Sequence, residues 1–265
     1  MDQEERTQLT LDLKRYAAEI DIDLLGIASA DEMNARGMAG RRPVDLMPAA
    51  QAVVVSAIGL LDPFARSWTS PPSDMGMQSA FATNLSFLRQ KKLTKFLRGK
   101  GYAAYSHREK SGVFTNSFLP LAHAFQQAGL GYIGKSNLAI SEKYGPRMLL
   151  LGIITDAPLI PDEPYTGDLC GDCNICEQFC TSGAILGDTY YNGRLCEAVV
   201  NCTSNCVFYS LTGWNDCDIC MRKCPRGEYK WTTEDRRGNW WDAIDRNRAD
   251  PISRDSTFLK RNIHG

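Results

Sequence analysis

The sequence lacks the features of secreted, membrane-spanning and strongly basic proteins. Its first residues, MDQEERTQLT, contain no apolar run of about seven residues, which argues against a secretory signal. No stretch approaches the roughly eighteen apolar residues of a membrane-spanning helix. The formal net charge of -1 argues against a broad nucleic-acid surface, although charge can still be local. Together these absences predict a cytoplasmic protein with no membrane partner.

Cysteine is missing from the first 169 residues, and all ten cysteines lie between Cys170 and Cys224. A chain of 265 residues has room for one or two domains, so this change in composition predicts a domain boundary. We predict a first domain over residues 1–160 and a cysteine-rich domain over 161–227. A charged tail with three tryptophans, over 228–265, is predicted to pack on the body of the protein.

Residues 1–160 have the mixed periodicity of an α+β domain. Apolar residues at helical spacing predict a first helix around Leu9 to Ile20 and a long helix from Phe81 to Leu97, which ends at Gly99 or Gly101. The polar, proline-bearing segment from Leu61 to Ser79 is predicted to be a loop. Short apolar runs predict strands at 23–28, 52–58 and 102–106.

Residues 129–136 read GLGYIGKS and satisfy the pattern G-x-x-x-x-G-K-S/T of a phosphate-binding loop. That loop requires a buried strand before it and a helix after it. Here the preceding residues, from Phe118 to Phe125, have helical spacing and end at Gly129. The following residues predict a hairpin, with strands at 137–141 and 148–155. The flanks therefore argue against a nucleotide triphosphate site.

The cysteine-rich segment has the spacing of bacterial ferredoxins. It opens with C-x2-C-x2-C-x3-C, at Cys170, Cys173, Cys176 and Cys180. It closes with the second half of such a run, at Cys217, Cys220 and Cys224, followed by proline. Two [4Fe-4S] clusters are the preferred interpretation. A zinc ribbon needs only two separated C-x2-C pairs, and a disulfide framework suits small secreted chains, so both are weaker alternatives.

The pairing of cysteines with clusters follows the ferredoxin rule, in which the fourth cysteine of each run binds the other cluster. This rule predicts one cluster on Cys170, Cys173, Cys176 and Cys224. It leaves the second cluster with three ligands, Cys180, Cys217 and Cys220. Three cysteines compete for the last position, namely Cys196, Cys202 and Cys206, and the two left over are either small buried residues or part of a further redox or metal site.

A family resemblance is carried by AGLGYIGKSNLAISEKYGPRMLLLGIITDAPL together with the double-cluster run that follows it. This text resembles the superfamily of epoxyqueuosine reductases and reductive dehalogenases, and weaker similarity extends from the first helix to Pro225. The resemblance implies a nitroreductase-like α+β domain that binds base-off cobalamin, followed by a ferredoxin-like domain with two [4Fe-4S] clusters. It also favours Cys206 as the last cluster ligand, because aromatic-rich text follows that cysteine in the family.

The resemblance gives the GLGYIGKS loop a role at the cobalamin. Glycines let a flat macrocycle approach the backbone closely. We therefore predict that Gly129, Gly131 and Gly134 face the corrin, and that hydrogen bonds to it come from Lys135, Ser136 and Asn137. The alternative is a helix cap and tight turn of purely structural use.

The proton donor for such a reductase is less clear from the sequence. The acidic residue of the queuosine enzymes corresponds to a position near Thr115 and Asn116, where no carboxylate stands. That departure, with the missing helical-repeat extension, argues against tRNA as a partner. The dehalogenases use a tyrosine with a basic helper, and candidates here are Tyr102, Tyr105 and Arg147. Each of them, like His107 and His123, has a structural alternative.

Three functions are consistent with these patterns. The first is a cobalamin-dependent iron–sulfur oxidoreductase that reduces a small electrophilic substrate, such as a halogenated compound, with electrons from an external low-potential ferredoxin or flavodoxin. The second is an electron-transfer protein that reduces the corrinoid of a partner. The third is an epoxyqueuosine-type tRNA reductase. The sequence does not specify the oligomeric state.

Overall fold

The computed structural model describes residues 2–37, 40, 42–59, 72–106, 119, 121–136, 138–179, 185, 221 and 223–228, with side chains of the long helix from residue 86 onward. The helices in this part of the chain are α1 (Gln3–Glu19), α2 (Ala30–Arg36), α3 (Pro43–Leu46), α4 (Pro72–Gly99), α5 (Leu121–Gln127) and α6 (Ile175–Phe179). The strands are β1 (Leu24–Ser29), β2 (Ala52–Gly59), β3 (Ala104–Ser106), β4 (Tyr132–Ile133), β5 (Ala139–Ile140) and β6 (Met148–Thr155).

The main sheet has the strand order β1-β2-β6-β3, and every neighbouring pair is antiparallel. Side chains alternate between its two faces, as expected for strands. Val53 of β2 joins the cluster around Phe125 of α5. Val54 joins the cluster around Leu13 of α1 and Leu93 of α4. The sheet is therefore covered by α1 and α4 on one face, and by α5 on the other.

The helices and strands predicted at the start of the chain are confirmed. Asp2 caps α1, because its carboxylate accepts from the Glu5 N–H at 2.8 Å and the Glu5 carboxylate accepts from the Asp2 N–H at 3.0 Å. The long helix ends at Gly99, as predicted. The predicted beginning at Phe81 is wrong, and so is the predicted loop from residue 72 onward, because α4 starts at Pro72. Proline is well suited to a first helical turn, where no intrahelical acceptor is needed for its missing N–H.

The strands predicted at 137–141 and 148–155 are present as β5 and β6, but the predicted hairpin between them is wrong. Strand β5 pairs with β4, which lies within the GLGYIGKS segment. Strand β6 lies in the main sheet between β2 and β3. Gly152 lies where β6 packs against α5. A Cβ on Gly152 would be 2.6 Å from Leu121 Cδ2. Glycine therefore allows the helix to pack closely on this central strand.

The described part of the chain is a mixed helix-and-sheet fold, which confirms the coarse class. The nitroreductase-like and ferredoxin-like assignments stay predictions, as do the bounds 1–160, 161–227 and 228–265. Among the residues described above, no helix has both the length and the apolar character needed to cross a bilayer.

Candidate metal centre

The GLGYIGKS segment connects α5 to a short strand and not to a helix. Gly129 has a φ of 72°, and its N–H donates to the Gln126 carbonyl at 3.1 Å. The Leu130 N–H donates to the Phe125 carbonyl at 3.1 Å, which completes a helix-ending Schellman motif. Strand β4 follows directly. The strand-before, helix-after context of a phosphate-binding loop is thus missing from this described segment.

At each glycine of this segment, the position that a Cβ would occupy is close to other protein atoms. A Cβ on Gly129 would lie 2.5 Å from the Glu163 carbonyl oxygen, and one on Gly131 would lie 2.8 Å from Phe125 Cε1. A Cβ on Gly134 would meet the Ile140 side chain and would lie 3.4 Å from Cys170 Sγ. These contacts supply a structural reason for the glycines. Their role at a cobalamin stays a prediction.

The end of the same segment contacts the first cysteines. The Lys135 ammonium donates to the carbonyl oxygen of Cys173 at 3.0 Å. With Gly134 beside Cys170, two consecutive residues of the predicted cofactor loop therefore lie against the predicted cluster loop. Ser136 is half-buried, and Asn137 lies outside the described residues.

The first cysteine loop is shaped by the carboxylate of Asp168. It accepts hydrogen bonds from the backbone N–H groups of Cys170 at 2.8 Å and Gly171 at 2.9 Å. These bonds lower the pKa of Asp168 below its ordinary value. The Cys173 N–H donates to the Cys170 carbonyl at 3.0 Å, so the chain turns back within three residues. The turn places Cys170 in a buried position and leaves Cys173 and Cys176 half-buried.

The distant Cys224 is brought to this loop by Arg147. The Arg147 guanidinium donates to the Cys224 carbonyl at 3.1 Å, to the Met221 carbonyl at 3.2 Å, and to the Arg226 carbonyl. The Glu228 N–H also donates to the Lys143 carbonyl at 2.8 Å. Residues 221 and 223–228 therefore lie against the turn that precedes β6.

The four described cysteine thiols form one electrostatically coupled group. Burial raises the pKa values of Cys170, Cys176 and Cys224 above the ordinary value for a thiol, and that of Cys176 rises to about 11. Repulsion between the thiolate charges raises these pKa values further. Positive metal charge would offset the cost of forming these thiolates. This is the grouping predicted for one cluster, Cys170, Cys173, Cys176 and Cys224.

The donor set of this group is four thiols, which is the set that a [4Fe-4S] cluster uses. A tetrahedral zinc ion can also take four thiolates. Within the described ranges, no group of three or more His, Cys, Asp or Glu side chains is placed to hold a metal ion. The choice of a cluster over zinc stays a prediction from the spacing of the cysteines.

The remaining predicted ligands cannot be placed. Cys180, Cys206, Cys217 and Cys220 lie outside the described residues, as do the competing Cys196 and Cys202. The second cluster stays a prediction.

The segment between β6 and the cysteines is bonded at several points to the part of the chain that precedes it. The Asp162 carboxylate accepts from the Ile27 N–H at 2.9 Å and pairs with the Lys14 ammonium at 2.5 Å. The Tyr165 N–H donates to the Gln126 carbonyl at 2.9 Å. Residues 157–165 thereby fix where the first cysteine loop begins.

The two tyrosines predicted as proton donors have structural neighbours. Tyr102 packs against the cluster on the α1/α4 face, opposite α5. Tyr105 is partly exposed on β3, and the Arg98 guanidinium lies 5.4 Å from its ring centre. Arg147 is buried and not part of a solvated turn. A catalytic role for these three residues stays a prediction. Residues 115 and 116 lie outside the described part.

His123 is buried in α5, and His107 lies outside the described residues. Burial lowers the pKa of His123 to about 4, and the positive charge of Arg36 lowers it further. His123 is therefore neutral near pH 7.

Sequence reasoning missed Asp168, Lys135 and Arg147 as supports of the cysteines. Asp168 had a readable signal, because an aspartate two residues before a turn commonly accepts from the backbone N–H groups that follow. The contacts of Lys135 and Arg147 join residues 38 and 77 positions apart in the chain, so no local pattern contains them.

Comparisons with known proteins give a consistent picture. No family model matches the chain. The epoxyqueuosine reductase of Listeria monocytogenes is 35% identical over 126 residues, covering 44% of this chain and 32% of the relative. That of Staphylococcus aureus is 25% identical over 256 residues, covering 86% of this chain and 67% of the relative. The chain thus spans between a third and two thirds of these curated relatives.

Solved structures share the fold. An epoxyqueuosine reductase from Bacillus subtilis has a TM-score of 0.57 at 20% identity, covering 85% of this chain and 67% of that one. The catabolic reductive dehalogenase NpRdhA has a TM-score of 0.65 at 22% identity, covering 99% of this chain and 38% of that one.

The prediction that argued against tRNA as a partner is wrong. The curated relatives are epoxyqueuosine reductases, and one solved structure with this fold is an epoxyqueuosine reductase with an epoxyqueuosine-modified tRNA stem loop, at a TM-score of 0.56 and 21% identity over 82% of this chain and 65% of that one. The missing carboxylate, the missing extension and the low net charge were poor guides, because none of them reports the local charge on which binding of a polyanion depends.

The resemblance stated from the motifs is confirmed at the level of sequence and fold. The chain is similar in sequence to epoxyqueuosine reductases, and it has the fold that they share with B12-dependent reductive dehalogenases.

Proposed function

We propose that this chain is an oxidoreductase in which two [4Fe-4S] clusters supply electrons to a cobalamin for the reduction of an electrophilic substrate. The observation that carries the proposal is the contact between the predicted cofactor loop and the predicted cluster loop. Lys135 donates to the Cys173 carbonyl at 3.0 Å, and Gly134 lies beside Cys170. Electrons pass efficiently only between neighbouring centres, so this contact is the arrangement that such a reductase needs.

Support for the cluster comes from the donor set of four grouped thiols, one of them contributed by a segment far along the chain. Support for the cobalamin is less direct. It rests on the similarity to a reductive dehalogenase structure that suggests a mechanism for B12-dependent dehalogenation. When bound, cobalamin would supply a metal centre able to donate electrons to an electrophilic carbon. Lys135 and Ser136 are the described polar residues proposed to hold it.

A small electrophilic substrate, such as a halogenated compound, is the first candidate. The region corresponding to the acid of the queuosine enzymes has Thr115 and Asn116 in place of a carboxylate. The shared fold with a catabolic reductive dehalogenase extends over 99% of this chain. Both observations favour chemistry in which the proton comes from a group other than that carboxylate.

Epoxyqueuosine-type reduction of tRNA is the second candidate. It is favoured by the curated relatives, one of which matches 86% of this chain. The described end of α4 also carries a basic surface. Residues 86–100, SFLRQKKLTKFLRGK, contain six lysines and arginines and no acidic residue. Three of these lysines, Lys91, Lys92 and Lys95, are exposed. Such a surface suits a phosphate backbone.

The first experiment reconstitutes the purified protein with iron, sulfide and hydroxocobalamin in the absence of oxygen. We expect about eight iron atoms and about one cobalt atom per chain, from two four-iron clusters and one cobalamin. Cys224→Ala should lose about half of the iron, whereas Cys196→Ala, at a predicted spare cysteine, should retain it. Zinc in place of iron would refute the cluster. Iron without retained cobalamin would favour the electron-transfer protein.

The second experiment separates the two substrates. Loaded protein is given a brominated phenol or epoxyqueuosine-modified tRNA, and halide release or queuosine formation is measured. The tRNA candidate further predicts that replacing Lys91, Lys92 and Lys95 with glutamate weakens tRNA binding and makes it less dependent on salt. Tight, salt-dependent binding that is unchanged by these substitutions would place the RNA elsewhere.

A further inference from the structure

Arg147 is a fully charged side chain in an unusual place. It is 2% exposed, whereas arginine is seldom fully buried unless it is paired. Burying a guanidinium is costly unless hydrogen bonds and opposite charge compensate. A short turn places it there, since the Arg147 N–H donates to the Tyr144 carbonyl at 3.1 Å immediately before β6 begins. The position of the guanidinium is therefore fixed by the sheet.

Three hydrogen bonds of the guanidinium to described residues are directed at one segment. They go to the carbonyl oxygens of Met221, Cys224 and Arg226, which surround the cysteine that comes from far along the chain. Gly145 and Gly227 make this approach possible. They have φ values of 58° and 96°, and a Cβ on either one would lie 2.8 or 2.9 Å from Arg147 Nη2.

The charge of Arg147 acts on the same cysteine. The guanidinium donates to the carbonyl oxygen of Cys224 itself at 3.1 Å, so its positive charge lies beside the residue that carries the thiol. Interactions between charges are screened less inside a protein than at its surface. A buried positive charge at one ligand would therefore be felt by the whole cluster.

We infer that Arg147 is a positioning residue for the cluster on Cys170, Cys173, Cys176 and Cys224, and that its charge raises the reduction potential of that cluster. This inference rests on the proposed function. Reduction adds one electron and no proton, so the cluster with its thiolates becomes more negative by one charge. A nearby positive charge stabilises the more negative state. The potential of an iron–sulfur cluster depends on net charge and hydrogen bonding around it, and both are supplied here by one side chain.

The test compares Arg147→Gln, which removes the charge, with Arg147→Lys, which keeps it. Arg15→Gln is the matched control, because Arg15 is 69% exposed and pairs with Asp12 on α1. Each protein is reconstituted anaerobically, its iron and sulfide are counted, and the reduced cluster is followed by electron paramagnetic resonance during titration with dithionite. The second cluster serves as an internal reference.

We expect R147Q to make reduction of one cluster at least about tenfold less favourable, which is about 59 mV for one electron. R147K should retain most of the potential but lose iron faster, because it cannot reach all three carbonyls. R15Q should match the wild type. If R147Q fails to hold iron, that result supports the positioning role. The role of the charge is then decided by comparing the reduction potential of the R147K cluster with that of the wild type.

Two outcomes overturn the inference, and they differ from failure of the proposed function. An R147Q protein with full iron content and an unchanged potential refutes both roles. An R147K protein whose potential falls by the full tenfold equivalent refutes the charge effect. If the wild type itself holds no iron after reconstitution, the proposed function fails and the inference fails with it.

Discussion

Replacing Gly129 with alanine should destabilise the protein more than replacing Gly101 with alanine. Comparing the two variants isolates the effect of the contact between residue 129 and Glu163. Both glycines end a helix in the same motif. Gly129 has a φ of 72° after α5, and Gly101 has a φ of 91° after α4. In both motifs the next residue donates its N–H to a carbonyl five residues back, at 3.1 Å for Leu130 and 3.2 Å for Tyr102. The left-handed strain of alanine is therefore similar at the two positions.

The surroundings differ. A Cβ on Gly101 would meet nothing within 4 Å, whereas a Cβ on Gly129 would lie 2.5 Å from the backbone oxygen of Glu163. The strain should cost G101A about 1–2 kcal/mol of unfolding free energy. G129A should lose the same amount and a further 1–3 kcal/mol, roughly, for overpacking against a linker that cannot move freely. That linker is held by Asp162, which bonds to Ile27 and Lys14.

The assay is urea unfolding of both variants, with the midpoint and slope measured separately. Displacing Glu163 should also disturb the start of the cysteine loop, so G129A should retain less iron after reconstitution than G101A. Equal losses of unfolding free energy in the two variants would show that the linker does not pack on Gly129, and would refute the reasoning.

Two further predictions concern His123 and Lys135. Because the folded-state pKa of His123, about 4, lies below the ordinary 6.5, the unfolded chain binds this proton first, and stability is lost as the pH falls from 6.5 towards 4. Between pH 7 and pH 5 the wild type should lose about 2 kcal/mol of unfolding free energy that His123→Gln does not lose, and parallel curves would contradict this. Lys135→Met should weaken retention of both iron and cobalamin, whereas Lys143→Met, at an exposed lysine, should not. Normal iron with normal cobalamin in K135M would leave Lys135 without a role at the site.

Much of the fold described before the cysteines could be predicted from the sequence, because its signals are local. The capping box of Asp2 and Glu5, the helical stripe of α1 and the glycine that ends α4 each involve residues within a few positions of one another. The cysteine spacing likewise reflects local geometry, since Cys170 and Cys173 share one turn that Asp168 holds and Cys176 lies in the short helix α6 that follows. The helix before GLGYIGKS could also be predicted from nearby residues, and it argued correctly against a phosphate-binding loop.

Strand pairing was not determined in this way. Residues 139–140 and 148–155 both have the sequence pattern of strands. Such a pattern predicts which face of a strand is apolar, but it does not predict which other strand it pairs with. Because α5 and its Schellman turn deliver β4 beside β5, the short strand pairs there. The long strand β6 then fits between β2 and β3, where both of its faces are covered.

The sequence by itself determined the local elements, the kind of thiol chemistry and the resemblance, because each depends on the type and spacing of nearby residues. Only the tertiary structure decided that the glycines of GLGYIGKS face protein atoms, that Lys135 contacts Cys173, and that Arg147 holds Cys224. These contacts join residues tens of positions apart. The physical reason is that their stabilisation arises from burial and from hydrogen bonds between separate segments, which exist only once the chain has folded.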